Sequence, residues 1–316
     1  MATIPEEILA SRFGICGIDA DIGGVAELGI RWTKPYANPF GPFIWGFIER
    51  EKGKYTWQLT DTYIQKVQGH NMAFLALIFP FAEWDQANWG PAPASTSPII
   101  YEQWMSRSRR KPYDMDAYRR FVSALVERYD GDGIDDMPGL KYPIKYWQAG
   151  QVPAVQEGYF TFFNGSSQDY LEVMKATYQA VKEADPAAKV LQPGMLEMTP
   201  HVVSFWEPIF DKGSQYFDIA NIHICWPLAE LGHAELDKAG LIAMAEEQVS
   251  EFKKLLSEYG IDKPIWVTAV LYYFGEDISL EEHGQILVRS YVSSFASGAD
   301  KCFYDTFRPF PTDQPF

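Results

Sequence analysis

His223 and Cys225, in His223-Ile224-Cys225-Trp226, put an imidazole and a thiol two residues apart. In an extended segment residues i and i+2 share a face, with Cβ atoms about 6–7 Å apart. An imidazole that takes or holds the thiol proton makes a thiolate nucleophile. That chemistry suits acyl transfer from an activated ester, with Gln151 as a donor to the oxyanion. The same two residues also read as a histidine without a catalytic role and a cysteine that packs as a small hydrophobe. His201 or His233 are alternative bases. Asp305, beside Phe303, Tyr304 and Phe307, offers a second chemistry, because a carboxylate in an apolar cavity becomes a stronger base. It reads equally as a loop cap or as a partner of Arg31 or Arg308. Glu83 and Asp85, in Phe81-Ala82-Glu83-Trp84-Asp85, read as loop anchors or ligand-subsite residues. Amine catalysis needs a lysine at an inward strand tip. Lys145, Lys189, Lys263 and Lys301 stand at strand beginnings, and Lys34 precedes Pro35 in what reads as a loop, so the sequence argues against it. No cluster supplies three inward metal ligands, and neither a metal nor a cofactor is expected.

The elements that must position these residues alternate along the chain. Apolar runs predict strands at Phe13–Ile18, Gly29–Thr33, Met72–Phe79, Ile144–Gly150, Lys189–Gln192, Phe217–Ile224, Ile265–Leu271 and Lys301–Thr306. Helical periodicity is best at Met115–Arg128, Asp169–Glu183, Leu241–Tyr259 and Ser279–Ala296. Eight strands separated by helical segments predict an α/β fold, a (β/α)8 TIM barrel in one domain over residues 1–316. Residues 80–111, rich in Trp, Pro and Ser, read as a long loop over the C-terminal face. After the eighth strand come Pro309, Pro311 and Pro315, with no segment that reads as an eighth helix. That helix is expected to be missing or replaced.

Composition narrows the function classes. The chain has 316 residues, 47% hydrophobic and 22% charged, with 27 Lys and Arg against 42 Asp and Glu. A net charge of −15 repels phosphate backbones and anionic lipid, so neither nucleic acid nor membrane is an expected partner. Cys16, Cys225 and Cys302 are too scattered for a disulfide framework. The first twelve residues carry Glu6 and Glu7 and no apolar core, so no signal peptide is expected. A cytoplasmic or recombinant monomer acting on a small molecule is the expectation.

Three segments resemble the clan A glycoside hydrolases, retaining β-glycosidases on a (β/α)8 barrel. Trp45-Gly46-Phe47-Ile48-Glu49, followed by Glu51 to Trp57, is similar to that clan's second-strand region. Ile144 to Pro153 is similar to its fourth strand, and Lys263 to Ala269 to its seventh. The resemblance implies Asn-Glu-Pro at the end of the fourth strand, whose Glu is the general acid/base, and a nucleophilic Glu on the seventh. This chain reads Gln151-Val152-Pro153 and Ala269 there. Retaining hydrolysis needs two carboxylates about 5 Å apart, and Val and Ala can do neither task. Glu157 and Glu276 lie past the strand tips and do not replace them. The resemblance also assigns Arg31, near the tip of the second strand, to hold the nucleophile. His223 matches a His-x-Tyr pattern, with Cys225 departing from it. Val152, Ala154, Val155, Ala269 and Leu271 predict an apolar pocket, with Arg31, Trp84, Gln151, Trp226, Leu271 and Tyr273 around it. Two lost acids, small apolar substitutes and a Gln in place of Asn point to an engineered or computationally redesigned barrel. Its expected chemistry is Cys/His ester hydrolysis, proton abstraction by a buried carboxylate, or silent sugar binding.

Overall fold

The computed structural model describes residues 3–17, 22–34, 43–91, 108–156, 162–225, 238–271 and 279–305, without the side chains of 225, 238–244 and 280. Trp226, Tyr273, His233, Phe307 and Arg308 therefore lie outside the described residues, as does the segment on which the eighth helix turns.

The strands are β1 (Phe13–Cys16), β2 (Trp32–Lys34), β3 (Phe43–Ile44), β4 (Ala73–Phe79), β5 (Tyr146–Ala149), β6 (Lys189–Leu191), β7 (Met195–Leu196), β8 (Ala220–Cys225), β9 (Ile265–Leu271) and β10 (Ala299–Asp305). The helices are α1 (Glu6–Ala10), α2 (Ile22–Glu27), α3 (Trp45–Ile48), α4 (Gln58–Gly69), α5 (Glu83–Gln86), α6 (Met115–Glu127), α7 (Ser167–Ala184), α8 (Pro200–Gly213), α9 (Lys238–Glu258) and α10 (Leu280–Ala296). All strand pairings within the sheet are parallel, in the order β6-β5-β4-β2-β1-β10-β9-β8-β7, with β3 beside β4. The two ends of that path meet, because β6 and β7 are halves of one strand. Pro193 and Gly194 divide it, and an isolated bridge from Leu191 to Ile219 joins β6 to the chain entering β8. Proline cannot donate to the ladder, which explains the break. The fold is an α/β TIM barrel.

Parallel strands covered by helices are apolar on both faces, and all seven residues of β4 are buried. The helices bury a periodic stripe, as in α6, with Ala117, Tyr118, Phe121, Val122, Leu125 and Val126 inside. Ser166 and Ser279 close capping boxes with Asp169 and Glu282 at the starts of α7 and α10. Among the described residues no helix is long and apolar enough to cross a membrane.

Several expectations need correction. β2 runs over Trp32–Lys34 instead of Gly29–Thr33, so Lys34 closes the strand and Arg31 precedes it. Helices α4 and α8 add to those that the periodicity marks, and the 80–111 segment contains α5 and a 3-10 turn over Ala87–Trp89.

Inside the barrel, alternate strand residues build layers. Near the strand beginnings Trp32, Tyr146 and Trp266 pack with ring centroids 5.0–5.4 Å apart. Phe303 stacks on Trp266 and lies over Gly14, where an added Cβ would stand 2.3 Å from the Phe303 ring. Helix α1 closes this end: Trp32 Nε1 donates to Ile8 O at 2.8 Å, and Lys301 Nζ to Leu9 O at 2.7 Å and Ser11 O at 2.5 Å.

Candidate active site

Two residues further along five of the strands the inward side chains turn polar. Trp32 is followed on its face by Lys34, Tyr146 by Gln148, Ile219 by Asn221, Trp266 by Thr268 and Phe303 by Asp305. Lys34, Gln148, Asn221, Thr268, His223 and Asp305 are all buried. Buried polar groups must find partners, and these find one another. Asn221 Nδ2 donates to Gln148 Oε1 at 3.1 Å, and Thr268 Oγ1 to Asn221 Oδ1 at 2.9 Å. Gln192 Nε2 donates to Asn221 O at 2.8 Å. Lys34 Nζ lies 3.0 Å from Thr268 O, 3.2 Å from Thr268 Oγ1 and 3.3 Å from His223 Nε2.

A β-bulge aims this belt. Ile222 and His223 of β8 face Val267 and Ala269 of β9, and Cys302 and Tyr304 of β10 face Val267 and Val270. Against both neighbours β9 carries one extra residue between Val267 and Val270. Such bulges at barrel rims redirect side chains. Here the bulge sets Thr268 under His223 and brings Ala269 level with it.

His223 is held tightly. An added Cβ at Gly194 would stand 2.1 Å from its Nε2, so only glycine leaves room for the ring. Burial, then the charge of Lys34, pushes the His223 pKa well below 6.5. An ammonium has no acceptor, so a charged Lys34 makes Nε2 the acceptor and places the ring proton on Nδ1. Burial raises the Cys16 thiol pKa, with Lys34 opposing and Asp305 adding to the rise. Cys16 is paired in register with Lys34 on one side and Asp305 on the other. All three residues therefore stand at one level.

The end of β5 is shaped by Tyr170, whose hydroxyl donates to Ala149 O. Gly150 follows with φ +83°, and an added Cβ there would stand 2.7 Å from that hydroxyl. Gln151 comes next, its Oε1 buried without a partner among the described residues. Val152 has φ +30°, a conformation rare for a β-branched residue, and is buried with Ala154 in the outer core.

The structure distributes the other candidates unevenly. Arg31 donates through Nη1 to Ala26 O at 2.7 Å and Ile30 O at 3.1 Å, and it stands before β2, not at its tip. Trp84 packs edge-on against Trp45 and donates to Glu49 O at 2.8 Å. Asp85 accepts from the backbone N–H groups of Tyr113 and Asp114, which makes it a loop anchor. Leu271 closes β9, half-buried, opposite Cys225. His223 and Cys225 share a strand face, but the thiol lies outside the described side chains. His201 is exposed near the start of α8. Sequence reasoning missed the polar belt and the buried Glu197, which follows β7 with φ +58°. The repeated step from an aromatic or apolar residue to a polar one two positions later is the signal that marks the belt.

Asp130, Asp132 and Asp136 gather between α6 and β5, with carboxylate oxygens within 4.8 Å of one another. They accept from the backbone N–H groups of Gly131, Asp132, Gly133 and Ile134. This loop leads into the beginning of β5, at the end of the barrel opposite the belt.

No family model and no curated protein matches the chain. Solved structures do. A glucosidase from Croceicoccus marinus matches with a TM-score of 0.64 at 17% identity, over 92% of this chain and 58% of its own. A monomeric β-xylosidase from Caulobacter crescentus CB15 matches at 0.63 and 15%, over 96% and 61%. A family 39 glycoside hydrolase from Bacteroides cellulosilyticus WH2 matches at 0.59 and 17%, over 99% and 59%. The fold is that of the TIM-barrel glycoside hydrolases. This chain spans about three-fifths of the length of these three glycoside hydrolases. In such barrels chemistry sits at the C-terminal ends of the strands. That is the end at which the polar belt, Gln151, Val152 and Ala269 stand.

Proposed function

We propose that the protein is a glycoside-hydrolase-derived barrel, engineered or redesigned, that does not hydrolyse glycosides by the retaining route and takes an uncharged small molecule at its C-terminal mouth. The observation that carries this reading is the pair Val152 and Ala269. Both are buried, 5% and 2% exposed, where the resemblance calls for two carboxylates. The left-handed φ of Val152 supports it, since that backbone suits a β-branched residue poorly. Glu197 and Asp305 remain as buried acids at strand ends. Neither occupies either of the two positions that the double-displacement mechanism uses.

Aryl β-glycosides test the reading. No turnover above the buffer rate is expected, while Val152→Glu combined with Ala269→Glu should restore measurable hydrolysis. Turnover by the unaltered protein that disappears in Glu197→Gln or Asp305→Asn would sink the reading.

Ester cleavage by Cys225 and His223 is the second reading, favoured by their shared face on β8. It requires His223 to act through Nδ1, because Nε2 is engaged by Lys34 and Thr268. Activated esters in the same assay, before and after thiol alkylation, separate it: a burst abolished by alkylation supports the dyad. Proton abstraction by Asp305, buried at the end of β10, is a further reading. Oligosaccharide binding without turnover fits the first reading and would identify its ligand.

A further inference from the structure

Lys34 is a lysine with 2% of its surface exposed, at the C-terminal end of an inward-facing strand, in the fold whose chemistry occupies that end. Its amine is gripped by three groups: the carbonyl and hydroxyl of Thr268 and the imidazole of His223. The β9 bulge brings all three to one side. A buried ammonium is costly, and the neutral amine is the nucleophilic form.

We propose that Lys34 is an amine nucleophile at the barrel mouth that condenses with a small aldehyde or ketone to form a Schiff base. The proposal rests on the emptied-mouth reading above, in that the positions of Val152 and Ala269 carry no carboxylates at this end of the barrel.

The step balances without an added reagent. Lys34 reacts from its neutral form, its proton given up to solvent, because His223 is held neutral and is too weak a base to take it. The Nζ lone pair forms a C–N bond to the carbonyl carbon, and the carbonyl π pair moves to oxygen, which takes up a proton released by nitrogen. The resulting carbinolamine takes a proton from solvent on its hydroxyl and expels it as water, leaving a protonated C=N bond. His223 stays neutral and orients Nζ through Nε2 at 3.3 Å. The acceptor capacity of Thr268 O, a backbone atom, keeps Nζ oriented whichever charge it carries.

Acetylacetone tests this directly, because a 1,3-diketone and an amine lose water to give a stable, absorbing vinylogous amide. The whole protein is incubated near neutral pH, the absorbance followed, and the labelled chain digested and mapped by mass. Label at Lys34 is expected to form about tenfold or more faster than at the exposed lysines, with Lys301, whose amine lines a cavity at the other end, a competing position. Lys34→Met should lose that label while keeping the others, and His223→Gln should slow it without moving it. The map of the unaltered protein decides even where a variant fails to fold. Label confined to other lysines, or no label on the folded protein, would overturn the proposal. Glycoside turnover would overturn the proposed function and leave a Lys34 label standing, so the two failures are distinguishable.

Discussion

His223 shows how much one side chain takes from its surroundings. Its ring lies against Gly194, accepts the Lys34 amine and meets Thr268 Oγ1 at 3.0 Å. Burial and the neighbouring ammonium both favour the neutral ring. On unfolding the ring recovers its ordinary pKa of about 6.5, so the unfolded chain binds the extra proton. The stability that comes from a neutral His223 is therefore complete above that pH and is lost as pH falls through it. Thermal unfolding followed from pH 8 to pH 5 should fall more steeply for the unaltered protein than for His223→Gln. Equal slopes would mean that the ring charges freely in the fold. His223 and Asp305, which the sequence singles out, both stand buried in the polar belt. Lys34 was not legible from the sequence, because Pro35 reads as a loop marker. The physical constraint runs the other way: proline pushes its predecessor into the extended region, which suits the last residue of a strand.

Elements were legible where their signal was local. The apolar runs of β4, β8 and β9 and the stripes of α6, α7 and α10 announce themselves. Helix α4 does not, because its buried face is Thr60, Tyr63, Ile64, Val67 and Gln68, correctly spaced but only partly apolar. Helix α8 is hidden by Pro208 in its interior, which surrounding packing tolerates. The β9 bulge is a register property and leaves no mark on one strand alone. Helix α7 depends on its start, where Ser166 Oγ accepts from Asp169 N at 3.1 Å and Asp169 Oδ2 accepts from Ser166 N at 3.0 Å. Ser166→Ala should cost about 1 kcal/mol in urea unfolding with an unchanged m-value. A cost near zero would assign the start of α7 to packing alone.

Across the whole molecule the two ends of the barrel carry different tasks. The end closed by α1 holds the interlocked rings of Trp32, Tyr146, Trp266 and Phe303. Lys301 Nζ sits there 4.7 Å from the Trp32 ring, its pKa lowered to about 8 by burial. A cavity of about 460 Å³ at this end is lined by Arg12, Lys189, Trp266 and Lys301. Conserving the aromatic layer should matter more to folding than any change at the mouth. Trp32→Ala is expected to cost roughly 3–5 kcal/mol. Ala269→Ser, at the other end, should change the unfolding midpoint little. A comparable loss from both would mean that the belt, too, holds the fold together.

The aromatic layer beneath the belt has a consequence for how such a barrel can change over generations. Under the proposed function stability sits in one storey and reactivity in the next, so the upper storey could be rewritten repeatedly while the lower keeps the chain folded. Random substitutions scored for survival would then divide along the strand direction, with tolerance rising in two-residue steps from Trp32 toward Lys34.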